Sequence, residues 1–388
     1  MRLMRKQPYK PLTQMIAVVL AYAAWSTAWI FGQDSLHQTS PPPHTAVKDE
    51  ALTFLQQPVL GMALNMHHVG DLDRYLHSID QIAAMGANAL VIVTPWFQEK
   101  INSNNIEFVA SRCPTAAQLK SVLQRAKQHQ LRTALVPIVL IAQPEPKEWR
   151  GKLAPSDWLQ WWSSYTRFIS HFVEIADEME VDIFSIGSEL NSTENQVERW
   201  ASLTTLVRNQ FSGAITYTAN WDRYEKIGFW GLVDFISISA YFELVDESDD
   251  ATVAAMSRTW SQIAQNLKEF AKQQKRLLLL MEVGYASVPW AGARPWDYLP
   301  GDLQSADPNA QSHAYQAFLN TWTTALATPS CPVRGFFLYH WDPYHHGGIR
   351  DFGYGIEGKP AEKLIRNAFK RIRVLLEQSS AASNSVAN

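Results

Sequence analysis

Glu189 and Glu282 are the residues of this chain best placed to do chemistry. Each directly follows a short apolar run, residues 181–186 in one case and 276–281 in the other. A carboxyl group at the end of a buried strand has its acidity set by its surroundings. Two such groups facing one another are the equipment of glycosidic cleavage, one moving a proton and the other attacking carbon or activating water. Taken singly, either glutamate also reads as a loop charge, solvated or paired with Lys or Arg. What decides is whether the intervening chain brings the two together.

From residue 58 onward, short apolar runs alternate with longer amphipathic stretches. The apolar runs cover residues 59–64, 89–94, 132–141, 181–186, 214–218, 235–240, 276–281 and 334–339. Helical patterns cover 71–85, 115–130, 156–180, 194–210, 251–272, 309–327 and 360–376, and the segment near 223–231 is short and irregular. In the first helix, Leu72, Tyr75, Leu76, Ile79, Ile82 and Ala83 form one stripe, Asp71 is a candidate N-cap and Gly86 a C-terminal stop. Strands separated by helices pair in parallel, because parallel neighbours need crossover connections. Leu277 to Leu280 is apolar throughout, as in a strand buried on both faces. Eight units predict an α/β fold, a single (β/α)8 TIM barrel. An open doubly wound sheet is the alternative, but it wants a glycine-rich phosphate loop after the first strand, and Gly61 to His68 has no such pattern.

In such a barrel, function gathers where strands end and the following loops begin. Read in order, those positions hold Asn65, His67 and His68; Trp96; Gln143; Ser188 and Glu189; Asn220 and Trp221; Tyr241; Glu282 and Tyr285; and Trp341 and Asp342. Strands 4 and 7 stand across the barrel from each other, so Glu189 and Glu282 can meet over a bound sugar. Aromatics among carboxylates suit carbohydrate, and Trp96, Asn220, Trp221, Tyr285 and Trp290 are candidate subsite residues, although each also reads as an ordinary core or loop residue. His67-His68 and His345-His346 are adjacent pairs, whose side chains on an extended chain point opposite ways and cannot readily chelate one ion. No metal and no cofactor is expected.

The motifs Ile186-Gly187-Ser188-Glu189-Leu190, Met281-Glu282-Val283-Gly284-Tyr285, Tyr339-His340-Trp341-Asp342-Pro343 and the stretch from Gly353 to Ala361 together resemble the clan A glycoside hydrolases. More narrowly, they resemble glycoside hydrolase family 113, a family of retaining β-mannanases. The likeness covers residues 58–369. It implies that Glu189 is the acid/base, that Glu282 is the nucleophile, that Tyr241 hydrogen-bonds the nucleophile, and that Trp341 stacks under the sugar. Many clan A families carry Asn before the acid/base; this chain has Ser188, which leaves recognition of the sugar 2-hydroxyl open. A nucleophilic pair stands about 5–5.5 Å apart, and the acid role assigns the retained proton to Glu189.

Composition sets the remaining bounds. With 34 basic and 37 acidic residues, the chain offers no electrostatic case for nucleic acid. Fifteen tryptophans exceed common usage and serve either sugar platforms or the core. Arg2, Arg5, Lys6 and Lys10 precede an apolar run over residues 15–31. That pattern reads as a signal anchor, or alternatively a signal peptide, over residues 1–31, followed by a polar Pro-rich linker over 32–57, the barrel over 58–376 and a disordered tail over 377–388. The catalytic domain is then exported, held to the membrane by its N-terminal segment or secreted if that segment is cleaved. Cys113 and Cys331 fall at opposite ends of the barrel, too far apart for a disulfide. The expected activity is hydrolysis of a β-linked oligo- or polysaccharide, foremost as an endo-β-1,4-mannanase. The alternatives are another β-glycan, exo-β-mannosidase action, transglycosylation, or a binding barrel without turnover.

Overall fold

A computed structural model describes residues 49–247, 251–297, 306–344 and 347–386, with side chains described from residue 52 to residue 379 within those ranges. The expected anchor, most of the linker and His345-His346 lie outside the described residues. Among the described residues, no helix is long and apolar enough to cross a membrane.

The apolar runs form eight parallel strands: β1 Val59–Asn65, β2 Ala89–Gln98, β3 Arg132–Ile141, β4 Ile183–Ser188, β5 Ala214–Asn220, β6 Ile236–Ser239, β7 Leu278–Val283 and β8 Val333–Trp341. Neighbours pair in chain order, and β1 pairs with both β2 and β8, which closes the sheet into one barrel. The open-sheet alternative is thereby excluded. A two-residue strand, Ile106–Glu107, adds antiparallel to the end of β2. The helices are α1 Leu72–Met85, α2 Ala116–Gln128, α3 Trp158–Glu178, α4 Val197–Gln210, α5 Val253–Gln273, α6 Pro308–Leu326 and α7 Pro360–Val386. Two 3-10 turns, Tyr224–Lys226 and Trp230–Leu232, take the place of a helix between β5 and β6.

Local chemistry explains the helix ends. Thr115 closes a capping box with Gln118, and Asp157 and Asp307 each accept from two backbone N–H groups of the following turn. Gly86 ends α1 at φ 101, where a side chain would be strained. Asp71 does not cap α1; its carboxylate bonds Arg74 Nε at 2.9 Å instead.

Side chains alternate along each strand. One set fills the barrel with small residues such as Ala63, Val91, Ala134 and Val136, and the other packs beneath the helices. The barrel begins earlier than residue 58. A 3-10 helix, Asp49–Leu55, brings Phe54 and Leu55 into the interior cluster. The Phe54 ring meets Phe235 edge-on at 5.9 Å. The carbonyls of this segment are held by Arg132, which reaches Phe54 and bonds Pro58 O at 2.8 Å, and by Arg334, which bonds Leu55 O at 2.7 Å. An open barrel end exposes apolar lining, and burying it recruits the nearest apolar chain. At the other terminus, α7 runs through residues 377–386, assigned above to a tail. Extending an existing helix needs no new nucleus. Cys113 and Cys331 are both buried and unpaired, as their placement at opposite ends requires.

Candidate active site

Glu189 is delivered by a tightly constrained turn. Two residues earlier, Gly187 has no room for a side chain, since a Cβ there would lie 2.7 Å from the Trp200 ring and 3.0 Å from Tyr165 Oη. Glu189 itself takes φ 55, the left-handed region that non-glycine residues rarely adopt. Its N–H donates to Thr218 O at 2.9 Å, and the next N–H, of Leu190, donates to Tyr217 Oη at 3.0 Å. Such strain persists only where the surroundings over-determine it, and it gathers at functional sites. The residue as a whole is buried. Arg150 Nη2 donates to its Oε2 at 2.7 Å, and Arg150 Nε donates to Ser188 O at 3.2 Å.

Glu282 lies on β7 in the same mouth and is 6% exposed. Tyr241, just past β6, donates its Oη to Glu282 Oε2 at 2.9 Å. Gly284 lets the chain leave β7, because a Cβ there would stand 2.9 Å from Tyr339 O. The Tyr339 and Tyr354 rings meet Tyr241 edge-on at 6.2 and 6.0 Å and fix its plane. Burial pushes Glu282 up to about 7, the negative charge of Glu189 adds to the rise, and Arg150 and the Tyr241 hydrogen bond pull against it. Arg150, which pairs with Glu189 and faces both carboxylates, is a residue the sequence reading did not single out. Burial opposes its charge, but Glu189 first, then Glu282, Tyr339 and Tyr241, outweigh burial and hold the guanidinium above its usual value.

The β1 end supplies neutral polar groups. Asn65 Nδ2 donates to Tyr339 Oη at 2.6 Å and to His340 Nδ1 at 3.0 Å. Burial lowers His340 to about 4, and burial followed by the His340 and Arg150 charges lowers His67 to about 3. Both imidazoles are therefore neutral at ordinary pH. Asn65 Oδ1, His67 Nε2, Ser188 Oγ, Asn191 Oδ1 and Ser192 Oγ are buried with no protein partner among the described residues. Buried polar atoms are almost always paired, and Asn65, His67 and Ser188 lie at or just past the strand ends that form this mouth. Among the described residues, no His/Cys/Asp/Glu group is arranged to hold a metal ion.

The remaining expected residues differ in their surroundings. Trp96 points away from the barrel interior, its ring 5.6 Å from Phe168 and 5.9 Å from Phe172 on α3. It has the same strand parity as Leu90 and Ile92, which pack beneath the helices. Tyr285 is fully buried, with its Oη accepting from Trp260 Nε1 at 2.8 Å. Trp341 is 3% exposed within the larger apolar cluster, and the partly open aromatic of β8 is Tyr339, joined to His340 by a cis peptide bond. Asp342 uses Oδ1 to accept from Tyr344 N at 2.9 Å, so it shapes a turn. Asn220 and Trp221 sit half-buried at the end of β5, where Trp221 meets Phe242 edge-on at 5.8 Å. Trp290 spends its N–H on Asp297 O at 2.8 Å. The loop before α7 is knitted internally: Glu357 Oε1 accepts from Asp342 N at 2.7 Å, and Lys359 pairs with Asp351 at 2.7 Å.

Comparison with known proteins agrees with this geometry. The model of Glycoside Hydrolase Family 113 matches residues 71–359. The GH113 β-mannanase AaManA from Alicyclobacillus acidocaldarius, solved in complex with ManMIm, superposes with a TM-score of 0.71 at 24% identity, over 81% of this chain and 98% of that one. A second GH113 β-1,4-mannanase gives 0.70 at 22% identity, over 81% and 99%. A family 5 mannosidase from Rhizomucor miehei gives 0.56 at 10%, over 83% and 94%. No curated protein matches the chain by sequence. At these identities the structures speak for the fold, whereas the family match extends from the first barrel helix to the start of the last. With two buried carboxylates facing one mouth, the chain is a glycoside hydrolase and belongs to glycoside hydrolase family 113.

Proposed function

We propose that the chain is a retaining endo-β-1,4-mannanase, with Glu189 as acid/base and Glu282 as nucleophile. The observation that carries the assignment is the 2.9 Å hydrogen bond from Tyr241 to Glu282. It favours the ionised form of the carboxylate it touches and fixes that carboxylate's direction, which an attacking group needs. In the first step a Glu282 oxygen bonds to the anomeric carbon as the glycosidic C–O bond breaks, and Glu189 passes its proton to the leaving oxygen. In the second, water attacks the same carbon and gives its proton to Glu189, and Glu282 leaves as carboxylate. The unpartnered Asn65, His67 and Ser188 atoms would bind the hydroxyls of the sugar at the cleavage point. The mannan preference is supported by family membership and by the substrates named for AaManA and its relative.

The test is reducing-sugar release across soluble mannan, glucan, xylan and chitosan, with product sizes and NMR of the first-formed anomer. Release of mannooligosaccharides of mixed length with β configuration is expected. First release of the α anomer would overturn the mechanism, and preference for another glycan would overturn the substrate. Export with retention on the membrane through residues 1–31 is part of the proposal. It is supported by the basic flank and apolar run of that segment, and recovery of soluble enzyme lacking those residues would replace retention with secretion.

A further inference from the structure

Arg150 reaches the site from an unexpected direction. It stands on a 3-10 turn, Arg150–Lys152, in the loop between β3 and α3. A Cβ on the next residue, Gly151, would collide with the Trp149 ring, so this glycine lets the tryptophan fold over the turn. The guanidinium then touches Glu189 and the backbone just before it, with both side chains largely buried, at 18% and 10% exposure. The titratable groups that face this pair are Glu282, Tyr241, Tyr339 and His67.

This arrangement does not treat the two halves of a double displacement alike. A guanidinium on a carboxylate favours the ionised form. An ionised Glu189 is the base that the second half requires and the wrong form for the first half, which needs its proton. We propose that Arg150 is a positioning residue that keeps Glu189 ionised and base-competent, so that the first half-reaction begins only when bound substrate loosens the Arg150–Glu189 pair. The inference rests on the carboxylate roles proposed above and adds a regulation of their proton.

The test uses the full-length protein with Arg150→Gln and Arg150→Lys. With an aryl β-mannoside, whose leaving group needs no proton, turnover is limited by the second half. There Arg150→Gln lowers kcat about tenfold and lowers KM with it, because glycosyl-enzyme accumulates. With mannan, the alkaline limb of kcat/KM moves about one pH unit higher in Arg150→Gln, and Arg150→Lys lies between that variant and the parent. Carbon-13 NMR of labelled glutamate carboxyls, assigned with Glu189→Gln, follows the pair without any turnover. It is expected to show Glu189 protonating at higher pH in Arg150→Gln. An unmoved Glu189 titration in both variants, or equal losses on aryl glycoside and mannan, overturns the proposal; if Arg150→Gln fails to fold, Arg150→Lys decides it. A parent enzyme that a 2-fluoro glycoside cannot label at Glu282 would instead overturn the carboxylate roles, leaving the NMR titration to decide the Arg150 pair by itself.

Discussion

The two ends of the barrel are made by the same eight strands and treat their polar groups in opposite ways. At the N-terminal end every prominent group is spent on the chain itself. Arg132 and Arg334 saturate the carbonyls of the segment carrying Phe54 and Leu55. Asn88 bonds Leu60 N at 2.8 Å and Pro58 O at 3.0 Å, and Asp234 pairs with Arg208 at 2.5 Å while accepting from Ile215 N. At the C-terminal end Asn65, His67 and Ser188 keep buried polar atoms without a protein partner, and two carboxylates share one opening. One end is finished and therefore stabilises. The other is left incomplete, which is what the proposed sugar site needs.

The largest expected effect is at the open end. Glu282→Ala removes the nucleophile and cuts turnover by at least about 10⁴-fold, whereas Glu189→Ala costs about 10²–10⁴-fold on mannan and far less on an activated aryl glycoside. Thermal melting of Glu282→Ala should match or exceed the parent, since burial works against that carboxylate; a clear drop in Tm would mean that the open end stabilises after all. At the closed end Phe54→Ala is expected to cost about 3 kcal/mol in denaturant unfolding with kcat within about twofold, and a large kcat loss without that destabilisation would break the contrast. Tyr241→Phe removes a hydrogen bond to an ionised group, so kcat falls about 10- to 100-fold. The same bond lowers Glu282, so its loss should move the acid limb of kcat/KM, near pH 7 in the parent, to higher pH; a limb that stays or falls would remove Glu282 as its source. The smallest effect is at Ser188→Ala, whose hydroxyl has no protein partner. Stability should stay within about 0.5 kcal/mol while KM for mannan rises a fewfold, and an unchanged KM would make Ser188 a wall residue.

Strand and helix positions were legible because apolar runs and amphipathic periods report burial directly, and the eight strands fall where those runs fall. The meeting of Glu189, Glu282 and Tyr241 was legible because each lies at or just past a strand end. The rest needed geometry that one-dimensional patterns carry weakly or not at all. Trp96 could have been placed by parity, since it shares its face of β2 with Leu90 and Ile92. Phe54 and Leu55 lay beside a proline-rich stretch whose composition concealed them. Arg150 gave no signal beyond its place in a long loop. Its role arises from a single turn of 3-10 helix and a tryptophan folded over a glycine, and nothing in the spacing Trp-Arg-Gly says where that turn will point.

The tryptophans, finally, decide what light can report about this enzyme. Trp161, Trp162, Trp200, Trp230, Trp260 and Trp322 are almost completely buried, and Trp161, Trp162 and Trp200 stand in one aromatic chain with ring centres 5.2 Å apart at each step. Trp296, at 46%, is the tryptophan with a large open surface among the described residues. The buried indoles of the layer around the barrel stand close enough to one another to exchange excitation. Their emission follows loss of the packed layer during unfolding. Trp341, paired with Leu64 at the end of β8, and Trp149, beside Arg150, stand nearer the two carboxylates, so an emission change on sugar binding is expected from those two rather than from the packed layer.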